Sequence, residues 1–549
     1  MNIAATKVLR LHQIRNQYGN VSLKEKLYLL EKLSNQVIKG KEALKLYYET
    51  LLFLIAYPDN KAIIEKASSS LNSLGLYLKS HEGIAWSLFN SGITCTQLCA
   101  AFSFEMVKWM RHTHKEDIKL ESIDAHDSII TSVISVVLPK IESEVLQDEN
   151  FEWKEWLNKN NNKGEDLLDT LIRIFDQADL RPEVRDQLWD SLDINVTITF
   201  SKHTALSSSL TYPYYHRSLI KRKTDKKATL EKPIKIKLNE EQRDQLINCA
   251  KMILIRHKRE MDPMTFANPA LVTYYKLPHG ITVTIYSTTA ERRHPIDSYM
   301  GYVAFKNGLP FAYGGSWILF DSSRTALNVF PAYRGGESLY SFEEVMTLHQ
   351  QVYKLKRFTL DPYQIGKHND DGIKSGSFWL YHRIGFRPIK EMQKKLAEEE
   401  ALKIKATPGY RTPAKTLKQL ANSRMELQLK PNAFGFDAMD ISIAYANILK
   451  KLYNNDRKKG EKAAFNKLVK YLDLKNYTES NINYVLKNWA ILLMGNETEL
   501  SKNKELKKVL KHILILKANG SETDYIADMN RSLPLRKFIE KIITEALSY

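Results

Sequence analysis

Cysteine is scarce in this chain, which has three among 549 residues. So few thiols exclude a disulfide scaffold and are typical of a protein of the reducing cytoplasm, where we expect this one to be. The N-terminus lacks the sustained apolar segment of a secretory signal. No apolar run approaches the roughly 18 residues that cross a bilayer, so we expect neither a membrane span nor a membrane partner.

The usual short signatures of chemistry are missing as well. The sequence contains no phosphate-binding P-loop, no dinucleotide fingerprint, no His-Glu-x-x-His zinc motif and no nucleophile elbow. Cys95 and Cys99 are four residues apart, and His112 and His114 follow them. Two histidines spaced by two cannot both face one ion from a regular helix, so we expect no metal site.

Positive charge is in excess, since 81 Lys and Arg oppose 63 Asp and Glu and leave a net charge of +18. Such a chain suits a polyanionic partner, namely RNA (tRNA included), DNA, a nucleotide cofactor or an acidic carrier protein. The lysines are scattered along the polar faces of expected helices. We therefore favour a merely solvated basic exterior over a dedicated nucleic-acid surface.

The chain is too long for a single hydrophobic core, and its apolar periodicity and charge density change three times along the sequence. Apolar residues recur at three- and four-residue steps in the first part, which predicts an all-helical domain over 1–203. Dense charge and low periodicity predict a basic linker or arm over 204–237. A mixed α/β domain is expected over 238–395, and Lys-rich amphipathic patterns predict a helical domain over 396–549. The expected fold class is thus α/β (α+β), a mixed sheet between all-α flanks.

Within 238–395 the apolar period drops to two. Asn307-Gly308 is a strong hairpin signal between two of the expected strands. The pattern then predicts a helix, a further strand and a short aromatic helix. The expected strands are 271–275, 281–286, 301–305, 311–320, 325–330 and 357–360, and the expected helices are 336–355 and 375–384.

The most informative stretch is 324–388. It begins Arg-Thr-Ala-Leu-Asn-Val-Phe-Pro-Ala-Tyr-Arg-Gly-Gly-Glu-Ser and later contains Tyr-His-Arg-Ile-Gly-Phe. An apolar strand that feeds a glycine turn at a helix N-terminus presents backbone amides to an anion. The order and spacing of these elements resemble the acyl-donor half of the GNAT acyltransferase superfamily, over about residues 238–392.

The resemblance implies a donor site for an acyl-CoA or acyl-carrier thioester. In that family the strand before the glycine loop splays from its neighbour and binds the pantetheine arm, and the loop wraps the pyrophosphate. The tyrosine of a Tyr-x-x-x-Gly-Phe segment protonates the departing thiolate there, so Tyr381 is the expected general acid, with aromatic packing as its alternative. The residues expected to hold the donor are Asn328, Val329, Phe330, Arg334, Gly335 and Gly336.

Two positions depart from the family pattern. Glu337 and Leu339 stand where loop glycines belong, and a carboxylate there disfavours pyrophosphate unless Arg334 or a lysine pairs with it. Glu337 is equally an ordinary acidic residue of a first helical turn. We also expect a general base, for which Glu337 and His294 are the leading candidates and Asp361, His368 and Glu291 the others.

Two further groups are candidates for binding substrate. Arg292 and Arg293 form a pair that can grip a phosphate or a carboxylate, although a solvated loop explains them equally well. The polar segment after the strand 357–360 contains Gln364 and Asn369, at the strand end where α/β proteins bind ligands. Its alternative is a turn selected for backbone conformation alone.

Two functions follow as expectations. The first is an acyltransferase that moves an acyl group from a thioester to a small-molecule or protein acceptor with an amine or hydroxyl. The second is a non-catalytic scaffold that binds nucleic acid, aminoacyl-tRNA or a protein partner through its basic surface.

Overall fold

The computed structural model describes residues 3–34, 36–144, 152–200, 210, 214–216, 218–220, 232–474 and 479–549. Most of the expected basic arm over 204–237 lies outside these residues. In the described part no helix is long and apolar enough to cross a bilayer.

The N-terminal third begins with helices and then contains a small sheet. Its helices are α1 (Ile3–Ile14), α2 (Asn20–Ser34), α3 (Lys41–Ala56), α4 (Lys61–Ser80), α5 (Glu82–Ser87), α6 (Phe104–Thr113), α7 (Asp127–Val137), α8 (Lys140–Ser143), α9 (Trp153–Lys159), α10 (Leu167–Gln177) and α11 (Pro182–Ser191). Its strands are β1 (Gln97–Ala101), β2 (Ile118–Ile123) and β3 (Ile194–Thr199).

The expectation of an all-α N-terminal region is therefore wrong in one respect. Strands β1, β3 and β2 form an antiparallel sheet in that order, and β1 lies inside a stretch for which the sequence predicts helix. The edge strand Gln97–Ala101 has a weak strand signal of its own and is held by pairing with β3, about 100 residues away. The central strand β3 alternates buried and half-buried residues, the period of a half-buried strand.

The middle of the chain carries the large sheet and the helices that cover it. Its helices are α12 (Glu240–Arg256), α13 (Asp262–Thr265), α14 (Ser338–Tyr353), α15 (Asp370–Ser375), α16 (Ser377–Ile384), α17 (Glu391–Ala406) and α18 (Ala414–Leu420). Its strands are β4 (Ile234–Ile236), β5 (Thr273–Lys276), β6 (Ile281–Ser287), β7 (Ser298–Lys306), β8 (Leu309–Leu319), β9 (Ser322–Val329), β10 (Arg357–Leu360), β11 (Arg387–Pro388) and β12 (Met425–Gln428).

These nine strands form one sheet in the order β11-β12-β10-β9-β8-β7-β6-β5-β4. Neighbours are antiparallel except β9 and β10, which run parallel and are joined by α14. Residues 307 and 308 turn between β7 and β8 with φ of 49° and 84°, the left-handed pair that a two-residue hairpin requires. The sheet reaches Gln428, beyond the expected domain end at 395, because β12 pairs with β10.

The C-terminal part is helical, as expected. Its helices are α19 (Ala438–Tyr453), α20 (Arg457–Tyr471), α21 (Ser480–Met494), α22 (Glu497–Lys502), α23 (Lys504–Asn519), α24 (Glu522–Arg531) and α25 (Leu533–Leu547). They share one hydrophobic core with the large sheet and with α1–α4, while the small sheet, α6, α7 and α9–α11 surround a second core. The expected fold class, α/β with helical flanks, is confirmed.

Candidate functional site

The parallel strands β9 and β10 separate after a short stretch. They pair only over 322–324 and 357–359. Beyond that point β9 continues to Val329 with β8 on one side, whereas β10 ends at Leu360. We call the stretch of β9 over residues 325–329, which has no partner strand on the side of β10, the strand gap. An edge of this kind leaves backbone amides without a partner strand.

Hydrogen bonding along β9 identifies the amides that face the strand gap. The Phe330 amide donates to the Phe311 carbonyl across β8 at 3.0 Å. Because amides alternate in direction along an antiparallel strand, the Asn328 amide also points to β8, and the Leu327 and Val329 amides point the other way. The Val329 amide thus faces the strand gap, whereas the Asn328 amide faces β8.

Tyr381 is buried in the core beside Leu327 of β9. Its side chain projects from α16, edge-on to the rings of Phe342 and Phe386, and is 2% exposed. Burial raises the pKa of the Tyr381 hydroxyl, and a hydrogen bond from the Leu327 amide opposes that shift. A hydroxyl has one proton and two lone pairs, so it can accept from Leu327 and still donate its own proton to a third group.

The glycine turn, residues Arg334–Glu337, is covered on one side by the N-terminal helices. A Cβ at Gly336 would lie 2.6 Å from the Tyr57 ring, and the Arg334 carbonyl accepts a hydrogen bond from Arg15 at 3.4 Å. Arg334 and Gly335 themselves are exposed. The helix N-terminus that the sequence offers as a pyrophosphate cradle is therefore partly occupied by Tyr57.

Glu337 points away from the glycine turn into the protein. Its carboxylate lies 2.7 Å from the Lys306 ammonium with both side chains 0% exposed, and it also accepts the Ile220 amide at 3.0 Å. Burial lowers the pKa of Lys306 while Glu337 raises it. A lysine thus pairs with this carboxylate, which is the condition under which the sequence still allows a pyrophosphate at the glycine turn. An inaccessible, fully paired carboxylate cannot take a proton from a substrate, so its role is structural.

The arginine pair does not line an open site. Arg292 bonds Asp186, lies 3.7 Å from Glu105 and so joins the large sheet to the N-terminal region. Arg293 is buried and donates to the Lys517 carbonyl at 3.1 Å, which joins the sheet to the C-terminal helices. Both arginines hold the parts of the chain together.

The polar loop after β10 is largely an N-cap. Asn369 accepts the Gly372 amide at 3.1 Å and donates to the Tyr363 carbonyl at 3.0 Å. Its donor and acceptor capacity is thus used within the loop, as the turn interpretation predicts. Gln364 is half-buried in the 3₁₀ turn beside it, and Tyr363 is exposed.

His294 belongs to a row of groups on one face of the sheet. Its ring lies 3.0 Å from the Asp297 carboxylate, and this hydrogen bond raises the pKa of the imidazole. Tyr299 follows at 5.6 Å between ring centroids and stacks on Trp317 at 4.3 Å. The Arg324 guanidinium lies 4.5 Å from the Trp317 ring and ends the row at the point where β9 and β10 separate.

A polar cleft of about 260 Å³ opens on the same face. The sheet contributes Trp317 and Arg324, and the loop after β12 contributes Asp437. Asp361, the residue after β10, lies 3.4 Å from Arg324 and 3.8 Å from Arg424. We call this space the sheet-face cleft. Its paired charges suit a small polar molecule, and its lining includes Arg324 and Thr359, the last paired residues of β9 and β10 before the strand gap.

Sequence reasoning missed several of these groups. Leu327 contributes its backbone amide and not its side chain, so no pattern of residue types could have identified it. Lys306 could have been noted, because it precedes the Asn307-Gly308 turn, but its partner is 31 residues away. Arg424 and Asp437 come from a segment interpreted as part of a helical flank.

Comparison of the chain with protein-family models, with curated proteins and with solved structures gave no match.

Proposed function

We propose that this protein transfers an acyl group from a pantetheine thioester, carried by CoA or by a carrier protein, to an amine or hydroxyl acceptor. The observation that carries the proposal is the Tyr381 hydroxyl on the Leu327 amide, where β9 leaves β10. The donor would lie in the strand gap as an extended chain. The acceptor would occupy the sheet-face cleft.

The groups at the strand gap suit each part of the reaction. The Val329 amide points into the gap and would hold the thioester carbonyl, as oxyanion donors do. The acceptor's nitrogen or oxygen forms the new bond to the carbonyl carbon and the carbon–sulfur bond breaks. The sulfur receives the Tyr381 proton, and the acceptor's proton leaves to water and finally restores the tyrosine.

The environment of Tyr381 fits an acid and not a base. Because burial raises its pKa, the phenol keeps its proton at neutral pH until a stronger base, the leaving thiolate, appears beside it. The Leu327 amide then stabilises the negative charge that develops on the oxygen. Asp361 is one-third exposed but is paired with Arg324 and Arg424, and Glu337 is buried with Lys306, so neither carboxylate is assigned the acceptor's proton, which leaves to water.

A thiol-release assay tests the proposal. Purified protein is incubated with acetyl- and longer acyl-thioesters of CoA and phosphopantetheine, a panel of amine and hydroxyl acceptors, and a thiol reagent. We expect acceptor-dependent thiol release that Tyr381→Phe slows by about 10²-fold or more, the contribution usual for a general acid. Tyr363→Phe, which removes an exposed hydroxyl, is the matched control. Absence of thiol release from every thioester would refute the proposal.

One observation favours a second candidate, a non-catalytic scaffold that binds nucleic acid (aminoacyl-tRNA included) or a protein. The glycine turn is covered by Tyr57 and its carboxylate is locked by Lys306. An RNA-binding scaffold would bind tRNA with an affinity that falls steeply with salt and would release no thiol. The two readouts separate the candidates in one set of samples.

A further inference from the structure

A pocket opens between the helices α2, α3 and α4. Its volume is about 280 Å³, and we call it the helical pocket. Its apolar walls are formed by Leu33 of α2, Ile38 before α3, Leu44 of α3 and Leu74 of α4. Each of these side chains is at most 7% exposed and belongs to the hydrophobic core. The walls therefore hold the shape of the pocket without a ligand.

Two buried hydroxyl groups also line the helical pocket. Tyr47 of α3 is 3% exposed and Ser70 of α4 is 5% exposed. Burial raises the pKa of Tyr47, and the Ser70 hydroxyl, which can donate to the phenol oxygen, lowers it. Among the described residues no acceptor for the Tyr47 proton lies within hydrogen-bond distance. A buried hydroxyl without a partner costs free energy, which a ligand with a hydrogen-bonding atom would recover.

The lining of the helical pocket carries no charge. Although 26% of the residues in the chain are charged, none of the eleven described residues around the pocket is Asp, Glu, Lys or Arg. An ionised ligand would lose its hydration there without gaining a counter-ion. The lining therefore selects a neutral molecule.

The volume of the pocket limits the size of that molecule. An apolar cavity of about 150 Å³ holds benzene. The helical pocket is roughly twice as large, so it suits a molecule of on the order of ten heavy atoms, the size of two fused rings. Two of the lining residues, Val37 and Ser73, are exposed, so such a molecule can enter from solvent.

We infer that the helical pocket binds a small neutral molecule with an apolar body of about two rings and one hydrogen-bonding oxygen, the chemistry of a phenol or an alcohol. The ligand oxygen accepts the Tyr47 proton, and the leucine and isoleucine walls enclose the apolar body. The inference does not rest on acyl transfer, because no described residue of the large sheet lines this pocket.

Three bicyclic probes test the three features of the site. 1-Naphthol, naphthalene and 1-naphthoate share one ring system, to which the first adds a hydroxyl and the third a carboxylate. Equilibrium dialysis of the full-length protein at neutral pH measures the affinity for each probe. We expect 1-naphthol to bind at one site and naphthalene to bind about 2- to 12-fold more weakly, because one hydrogen bond is missing. 1-Naphthoate should bind at least about 10-fold more weakly than 1-naphthol, because its charge would be buried without a partner.

Variants locate the binding. Tyr47→Phe should lower the affinity for 1-naphthol to that for naphthalene and leave the affinity for naphthalene unchanged. Tyr28→Phe, at an exposed tyrosine of α2 outside the pocket, is the matched control and should change neither. Ser73→Trp should fill the mouth and abolish the binding of both probes, whereas Asn72→Trp, at the exposed neighbour of Ser73, should not. Thermal unfolding of each variant verifies that the fold is intact.

The opposite outcomes contradict the inference. If no probe binds up to its solubility limit, the pocket is a solvent-filled groove and the inference is wrong. If 1-naphthol binds Tyr47→Phe and Ser73→Trp as it binds the wild type, it occupies another site and the inference is wrong. Equal affinities for 1-naphthoate and 1-naphthol would overturn the assignment of a neutral ligand. None of these measurements involves a thioester, so a failure of the proposed function leaves them unchanged.

Discussion

The buried pair of Glu337 and Lys306 yields the sharpest stability prediction. Both side chains are 0% exposed and their charged atoms are 2.7 Å apart. Lys306 also donates to the His279 carbonyl at 2.6 Å, so its ammonium stays in place when Glu337 is changed. In Glu337→Gln the buried Lys306 ammonium therefore faces a neutral amide instead of its counter-ion.

Breaking a buried pair by removing one partner costs about 3–5 kcal/mol. For a cooperative unit of 150–250 residues, 1 kcal/mol shifts the melting temperature by about 2–4 °C, so we expect a decrease of about 10 °C. Lys306→Met should cost a similar amount. The double variant Lys306→Met/Glu337→Gln should recover much of the loss, because a neutral, well-packed pair replaces the ions.

Differential scanning calorimetry of the four proteins in this cycle measures the effect. Glu398→Gln, which neutralises an exposed glutamate, is the control and should melt within about 1 °C of the wild type. A Glu337→Gln protein that melts like the control would show that the carboxylate is not buried with Lys306. The account of Glu337 as a buried, neutralised carboxylate would then be wrong.

Two further predictions concern other buried groups. Burial lowers the pKa of His349 to about 4. Between pH 6.5 and 4 the unfolded chain therefore binds a proton at this histidine and the folded protein does not. The free energy of unfolding decreases as the pH is lowered through this range, by up to about 3 kcal/mol. His349→Gln should flatten the dependence of melting temperature on pH in that range, and an unchanged slope would contradict the assignment. Lys517 and Glu522 form a second fully buried pair at 2.8 Å, beside β7. Lys517→Met should lower the melting temperature by about as much as Glu337→Gln, and a neutral effect would contradict the burial of this pair.

Much of the large sheet could be predicted because its signals are local. Alternating apolar residues marked β6, β7, β8 and β9, and Asn307-Gly308 marked the hairpin between two of them. The helix α14, the strand β10 and the short helix α16 also lie within two residues of their expected bounds. Periodicity and turn chemistry act over a few residues, so a single sequence contains them.

The rest depended on contacts between distant residues. β12 joins the sheet through pairs such as Met425 with Leu360, and β1 is a strand only because β3 lies beside it. The small N-terminal sheet and the reach of the large one past residue 395 were therefore not predicted. The burial of Glu337 could not be predicted either. Nothing in the neighbouring sequence distinguishes a carboxylate that is paired with Lys306 from an exposed base.

The residues of the candidate site likewise differ in whether the local sequence could identify them. Tyr381 and Val329 were singled out by their motif positions; the Tyr381 hydroxyl contacts the Leu327 amide and the Val329 amide faces the strand gap, and their roles stay predictions. Arg292, Arg293 and Asn369 have residue types that suit binding, yet each is used in an ion pair or a cap that only the fold reveals. The position of Tyr57 against Gly336 also needed the packing of the N-terminal helices on the glycine turn.

The central claim, that Tyr381 protonates a departing thiolate, is tested most directly by varying the leaving group. Wild type and Tyr381→Phe are compared on two acyl donors that carry the same acyl group, one an alkyl thioester and the other an aryl thioester. An aryl thiolate is a weak base that leaves without a proton. We expect Tyr381→Phe to lose about 10²-fold or more with the alkyl thioester and almost nothing with the aryl thioester. An equal loss with both donors would show that Tyr381 only supports the structure and would contradict the account.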